Sequence, residues 1–144
     1  MNNPGTYNLG DKVVTTALTG EVITEGVSAA AVAQSFIDNL DGMLAAYIVC
    51  GFAYGSGGSS CIVTVQNSLD GVNWRDVARF DFATASARKS CNLSGLTPKG
   101  ITTHSALGSE SVNDGELGDM WRAVVTSTGT YGSSTTVSVR LGAR

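Results

Sequence analysis

Thr135-Thr136-Val137-Ser138-Val139-Arg140-Leu141 alternates polar and apolar residues from Thr136 onward. Val137, Val139 and Leu141 share one face, and Thr136, Ser138 and Arg140 share the other. This is the two-residue period of a strand with one buried face. Residues 121–126, beginning at Trp121, read as its hairpin partner. Ser127-Thr128-Gly129-Thr130-Tyr131-Gly132-Ser133-Ser134 is the flexible loop between them. The same period runs through residues 44–52, with Leu44, Ala46, Ile48, Cys50 and Phe52 on one face. It returns in residues 61–67, with Cys61, Val63 and Val65 aligned. These two read as a second hairpin across the small-residue connector 53–60.

Asp70-Gly71 then marks a turn, because both residue types tolerate positive φ. A third strand over 73–82 places Trp74, Ala78, Phe80 and Phe82 in one parity and Arg75, Arg79 and Asp81 in the other. Asp76 and Val77 break that alternation, which suggests a bulge or a two-sided environment. A short strand over 87–93 returns. Nearer the N-terminus, residues 12–18 and 21–24 read as strands joined at Thr19-Gly20, residues 28–33 as a loop, and residues 34–40 as a strand. Residues 96–118 hold Pro98, four glycines and no period, and long unpatterned loops of this kind usually carry contacts or function. The expected fold is all-β: an antiparallel β-sandwich, with a jelly roll as one form of it. Residues 1–11 form an N-terminal arm and residues 12–144 a single sandwich domain. Ile48, Val63, Val65, Phe80, Val125, Val137 and Val139 are expected in the core.

Composition agrees. The 144 residues include 18 Gly, 16 Ser and 15 Thr, but only four Glu and three Lys, too few for a helical bundle. Charged residues make up 15% and apolar ones 42%, so a core is affordable while the surface is poor in charge. Net charge is −3 and pI is near 4.9, which gives phosphates no attracting field, so no nucleic-acid partner is expected. No membrane partner is expected either: the longest apolar run, 43–53, contains Gly51 and is shorter than a span. The first residues lack the basic-then-apolar pattern of a signal peptide. Three cysteines cannot all pair within the chain, and buried thiols in a reducing compartment are the simplest reading. Cys50 and Cys61 would face each other if the second hairpin forms.

The search for chemistry finds little. His104 is the sole histidine, without a Gly-x-Ser-x-Gly elbow to accompany it, and reads as a loop histidine. No Cys or His spacing suits zinc. Asn113-Asp114-Gly115-Glu116-Leu117-Gly118-Asp119 clusters carboxylates but lacks the spacing of a helix-flanked calcium loop, so a turn is expected. The Gly/Ser run 55–60 has no lysine or following helix and does not match a phosphate loop. No cofactor, metal or catalytic residue is assigned. Trp74 and Trp121 each begin a strand, where an aromatic plugs a core more often than it forms a sugar platform.

Val63-Thr64-Val65-Gln66-Asn67-Ser68-Leu69-Asp70-Gly71-Val72-Asn73-Trp74-Arg75-Asp76-Val77-Ala78 resembles a pattern in small virion proteins of tailed bacteriophages. There a strand ends in Gln-x-Ser-x-Asp-Gly-x-x-Trp and a second strand follows. Leu117-Gly118-Asp119-Met120-Trp121-Arg122-Ala123-Val124-Val125-Thr126, with the Gly/Ser/Thr loop and Val-rich strand after it, resembles their C-terminal hairpin. The resemblance implies a non-enzymatic virion structural protein, most readily a capsid decoration (cement) protein. Such a protein binds the outer surface of a shell of major capsid protein and is often a homotrimer. It would be assembled in the host cytoplasm and reside on the virion. A carbohydrate- or receptor-binding sandwich of a head fibre or tail is the alternative. Candidate contacts with the capsid or between subunits are Asn2, Asn3, Pro4, Tyr7 and Leu9 in the arm, and Leu96, Pro98, Ile101, His104 and Leu107 in the long loop.

Overall fold

Alternate burial along the last strand sets the architecture: Val137, Val139, Leu141 and Ala143 are buried, while Thr136, Ser138 and Arg140 are partly open. The computed structural model describes residues 4–144. In chain order the strands are β1 (Gly5–Val13), β2 (Glu21–Val22), β3 (Gly26–Val27), β4 (Ala33–Gln34), β5 (Ala45–Ala53) and β6 (Ser56–Gly57). They continue with β7 (Ser60–Ser68), β8 (Arg75–Phe82), β9 (Ala87–Ser94), β10 (Met120–Thr128), β11 (Tyr131–Gly132) and β12 (Thr136–Ala143). No helix forms among the described residues, and so none is long and apolar enough to cross a membrane.

Two four-stranded antiparallel sheets carry the fold, ordered β1-β12-β5-β9 and β2-β10-β7-β8. The pairings are nested: β1 with β12, β2 with β10, β5 with β9, and β7 with β8. A ribbon folded back at the β7–β8 turn and rolled upon itself gives this order, which is the jelly roll. The expected all-β sandwich is therefore observed. The seven residues expected in the core are all buried, and Phe80, at 4%, is the most exposed of them.

Both expected hairpins are corrected. β5 and β7 lie in different sheets, as do β10 and β12. An alternating strand declares which face is buried, but not whether the next strand hydrogen-bonds beside it or faces it across the core. The two Gly/Ser connectors therefore cross between sheets, and they pair with each other through β6 and β11. Gly58 sits here at φ +67, and any Cβ would overlap the Tyr131 ring. Phe52, Phe82 and Tyr131 fill this end of the core, with Phe52 and Phe82 stacked at 5.0 Å.

The break at Asp76 and Val77 is a bulge. Val65 pairs with Ala78 but Gln66 pairs with Asp76, so Val77 is the extra residue. Arg75 and Val77 are buried before it, and Ala78, Phe80 and Phe82 after it. The parity change turns Trp74 away from the core.

The N-terminal expectations also shift. Gly5–Val13, taken largely as an arm, is the edge strand β1, and the strand ends where residues 12–18 were expected to begin one. A register shift between Asn8 and Gly10 hides its alternation, and Gly10 packs so closely on the Ile23 carbonyl that a Cβ would lie 2.6 Å from its oxygen. Residues 34–40 form only the end of β4 and an isolated bridge from Ile37 to Trp121. Of the loop expected over 28–33, residues 28–32 make a turn, with Ala31 N–H donating to the Ser28 carbonyl, and Ala33 begins β4.

Cys50 and Cys61 are buried free thiols in opposite sheets, not cross-strand neighbours. Burial pushes Cys50 up to about 12 and Cys61 up to about 11.

Candidate functional site

The long loop acts as a strap along β8, the edge of the second sheet. Arg79 N–H donates to the Ser111 carbonyl, Asn113 N–H donates to the Val77 carbonyl, and Val112 bridges to Ala78. These bonds cover part of an edge that would otherwise be open to strand addition. Side chains reinforce the strap. Arg79 holds Asp81 through Nε at 2.8 Å and Nη2 at 3.1 Å, and also donates to the Leu107 carbonyl at 3.0 Å. Ser109 Oγ donates to Asp81 at 2.6 Å, and Lys89 pairs with Glu110. Burial pushes the Asp81 carboxyl up, but the hydrogen bonds from Arg79 and Ser109 outweigh it and hold the group below its ordinary range.

Arg75 opens β8 and is only 8% exposed. Its Nε lies 3.0 Å from Glu116 Oε2, and its Nη atoms reach Thr103 O at 3.4 Å and Thr102 Oγ1 at 3.3 Å. Asn67, buried beside it on β7, donates Nδ2 to the Glu116 carbonyl at 2.6 Å. Depressions of about 430 Å³ and about 380 Å³ meet here, both lined by Arg75 and His104. On the outer face next to them, Arg122 donates to Gln66 at 2.8 Å and Gln66 donates to Asp76 at 2.7 Å. The Arg122 guanidinium lies 4.2 Å from the Trp74 ring centroid, and Phe36 lies 5.6 Å away on a tilt. Desolvation by this packing lowers the Arg122 pKa.

The two tryptophans thus part company. Trp121 is a core plug, fully buried with Nε1 donating to Gly118 O at 2.8 Å. Trp74 is half-buried on the surface and lines a depression.

A second surface is the outer face of the first sheet. Register places four rows across it: Thr6–Gly142–Tyr47–Asn92, Asn8–Arg140–Val49–Ser90, Asp11–Ser138–Gly51–Arg88, and Val13–Thr136–Ala53. Asp11 and Arg140 form an ion pair at 3.0 Å, and Arg140 holds the Asp11 carboxyl low. Arg88 is the one further charge in those rows. Tyr47 and Val13 are exposed at 50% and 54%.

The expected contact residues do not form one site. Asn2 and Asn3 lie outside the described residues. Pro4 is exposed and Tyr7 half-buried, but Leu9 is corrected: at 0% exposure it belongs to the core and cannot meet a partner. Leu96, Pro98, Ile101 and His104 are exposed and Leu107 is half-buried, all on the strap at the opposite flank from β1. Only His104 lines the depressions. The reading missed Arg75, Asn67 and Arg122, because only the bulge and sheet pairing bring them to this place. The carboxylates near Gly115 serve the loop itself: Asp114 accepts from Ser94 N–H and Thr97 Oγ1, while Glu116 pairs with Arg75. Among the described residues no group of three or more His, Cys, Asp and Glu is placed to hold a metal ion.

The chain matches no protein-family model, no curated protein and no solved structure.

Proposed function

We propose that this chain is a non-enzymatic structural protein that packs into a larger assembly through the outer face of its β1-β12-β5-β9 sheet. The observation that carries this reading is the makeup of that face. It is broad, uses mainly small or uncharged side chains, and pairs two of its three charges within itself. Covering it would desolvate few ions, and the centres of protein interfaces are depleted of charge for that reason. The specific form proposed is capsid decoration on a bacteriophage virion, with major capsid protein and further copies of this chain as partners. That form, and the trimer, rest on the resemblance of residues 63–78, whose strand–turn–strand is β7–β8, and on the sequence pattern of residues 117–141, which do not form the hairpin of the resembling proteins.

Cofractionation with assembled phage shells, alongside a solution mass, tests the reading. The full chain should sediment with shells and self-associate. Tyr47→Lys with Thr136→Lys should abolish both and leave the fold intact, since both side chains point outward. Binding should weaken little with added salt, because few exposed charges would contribute. A chain that stays monomeric and ignores shells would overturn the proposal.

A further inference from the structure

The two depressions beside the strap share a wall. The larger runs past Leu69 and Leu117 over the floor of Asn67 and Ser68, and the smaller runs past Trp74, Gln66 and Asp76. Because Arg75 and His104 line both, the two meet at His104: the larger opens at the end of the core, where Asn67 and Arg75 face inward, the smaller opens on the outer face with Gln66 and Asp76, and together they make a groove that bends over this edge.

We propose that this groove binds a neutral oligosaccharide, with sugar units in both lobes. Sugar hydroxyls donate and accept hydrogen bonds, so a site for them needs fixed groups of both kinds. Asn67, 4% exposed, commits its Nδ2 to the Glu116 carbonyl and keeps its side-chain carbonyl oxygen as an acceptor. Glu116 commits Oε2 to Arg75 and keeps Oε1. Gln66 and Asp76 are held in line by Arg122 and by the Leu107 N–H, at 2.8 and 3.3 Å. These groups are immobilised before any ligand arrives, which lowers the ordering cost of binding.

The apolar side of a pyranose needs an apolar wall. Trp74 supplies one in the smaller lobe with the ring surface left open by Arg122, which covers one face, and by Phe36. Leu69 and Leu117 supply one in the larger lobe. Charge selects among glycans: the lobes hold the carboxylates of Asp70, Asp76 and Glu116 against the guanidinium of Arg75 in the wall and that of Arg122 behind Trp74 and Gln66, which leaves the balance negative. That balance repels uronic acids and phosphates and accepts uncharged sugars.

The groove is formed by β7, β8 and the strap, away from the outer face of the first sheet, so the docking proposal can fail without touching this one. The full chain is titrated with neutral oligosaccharides of glucose, mannose and N-acetylglucosamine, and with an oligogalacturonate as the acidic comparison. Tryptophan fluorescence and amide chemical shifts are followed. A neutral probe should saturate, with shifts centred on Trp74 and His104, and the oligogalacturonate should bind more weakly. Trp74→Ala should weaken binding about tenfold, as loss of an aromatic contact does. His104→Ala, at an exposed position, should weaken it about fivefold with an unchanged core spectrum. Absence of any shift with the neutral probes up to about 10 mM, well past a millimolar dissociation constant, would overturn the proposal. So would binding that ignores both substitutions, or tighter binding of the oligogalacturonate.

Discussion

Arg75 Nε stands 3.0 Å from Glu116 Oε2, tying the first residue of β8 to the far end of the strap. Arg75 is nearly buried, whereas Glu116 keeps about a quarter of its side chain in solvent. The pair is therefore neither a screened surface contact nor a fully desolvated one. Glu116→Ala should cost about 1–3 kcal/mol, mostly by leaving the guanidinium short of a partner. Urea unfolding checks this, and Glu116→Gln should recover part of the loss by restoring a hydrogen-bond acceptor.

Leu9 ties the N-terminal strand to the core. Leu9→Ala should cost about 2–5 kcal/mol, the range for emptying a buried leucine site. Truncation before residue 10 should be worse, because it also removes ladder bonds between β1 and β12. Thermal melts of both variants measure the effect, and an unchanged melting temperature would return this segment to the status of an arm.

Two glycine substitutions should differ in outcome. Gly58→Ala meets the Tyr131 ring and a left-handed backbone, and should destabilise by about 2 kcal/mol or more. Gly100→Ala meets open space and should be close to neutral. Parallel denaturation curves of the two proteins make the comparison.

Acid should loosen the β7–β8 turn. The backbone N–H groups of Asn73 and Val72, then the side chains of Asn73 and Ser68, hold the Asp70 carboxyl well below its ordinary value. A lowered folded pKa means that the stabilisation is complete above the unfolded value of about 3.9 and is lost as pH falls through the folded one. Stability should therefore drop below about pH 4, and Asp70→Asn should flatten that part of the profile. Unfolding midpoints measured across pH 2–7 read it out.

The thiols should be inert while the chain is folded. Burial holds Cys50 at about 12, and Cys61 and Cys91 at about 11. Iodoacetamide at pH 8 should label none of them quickly in native protein and all three after unfolding, with mass spectrometry counting the adducts.

The period-two runs at 44–52, 61–67 and 136–141 marked the strands and their inward faces, because alternation along one strand is local; Leu44 alone departs, since it precedes β5 and is 65% exposed. The break at Asp76 and Val77 was legible as a bulge or a two-sided environment, and sheet pairing makes it a bulge. Partner choice was not legible. Cys50 and Cys61 belong on inward faces under either topology, so nothing local separates a hairpin from a crossing between sheets. Leu9 was misread because the shift at Asn8 and Gly10 spoils the alternation that would have marked β1. Trp74 was placed inward by counting from Phe80, and the extra residue Val77 reverses that count.

The candidate sites divide the same way. A surface poor in charge follows from composition alone, since 15% charged residues cannot cover a domain of this size. Which of those residues share the outer face of the first sheet depends on which strands lie side by side. Arg75 and Glu116 are 41 residues apart in the chain. Asn67 meets them only because β7 pairs with β8 and the strap returns to the end of that pair. Local residue order determines the face of a strand, while the join between distant segments is decided by the long-range burial that closes the roll.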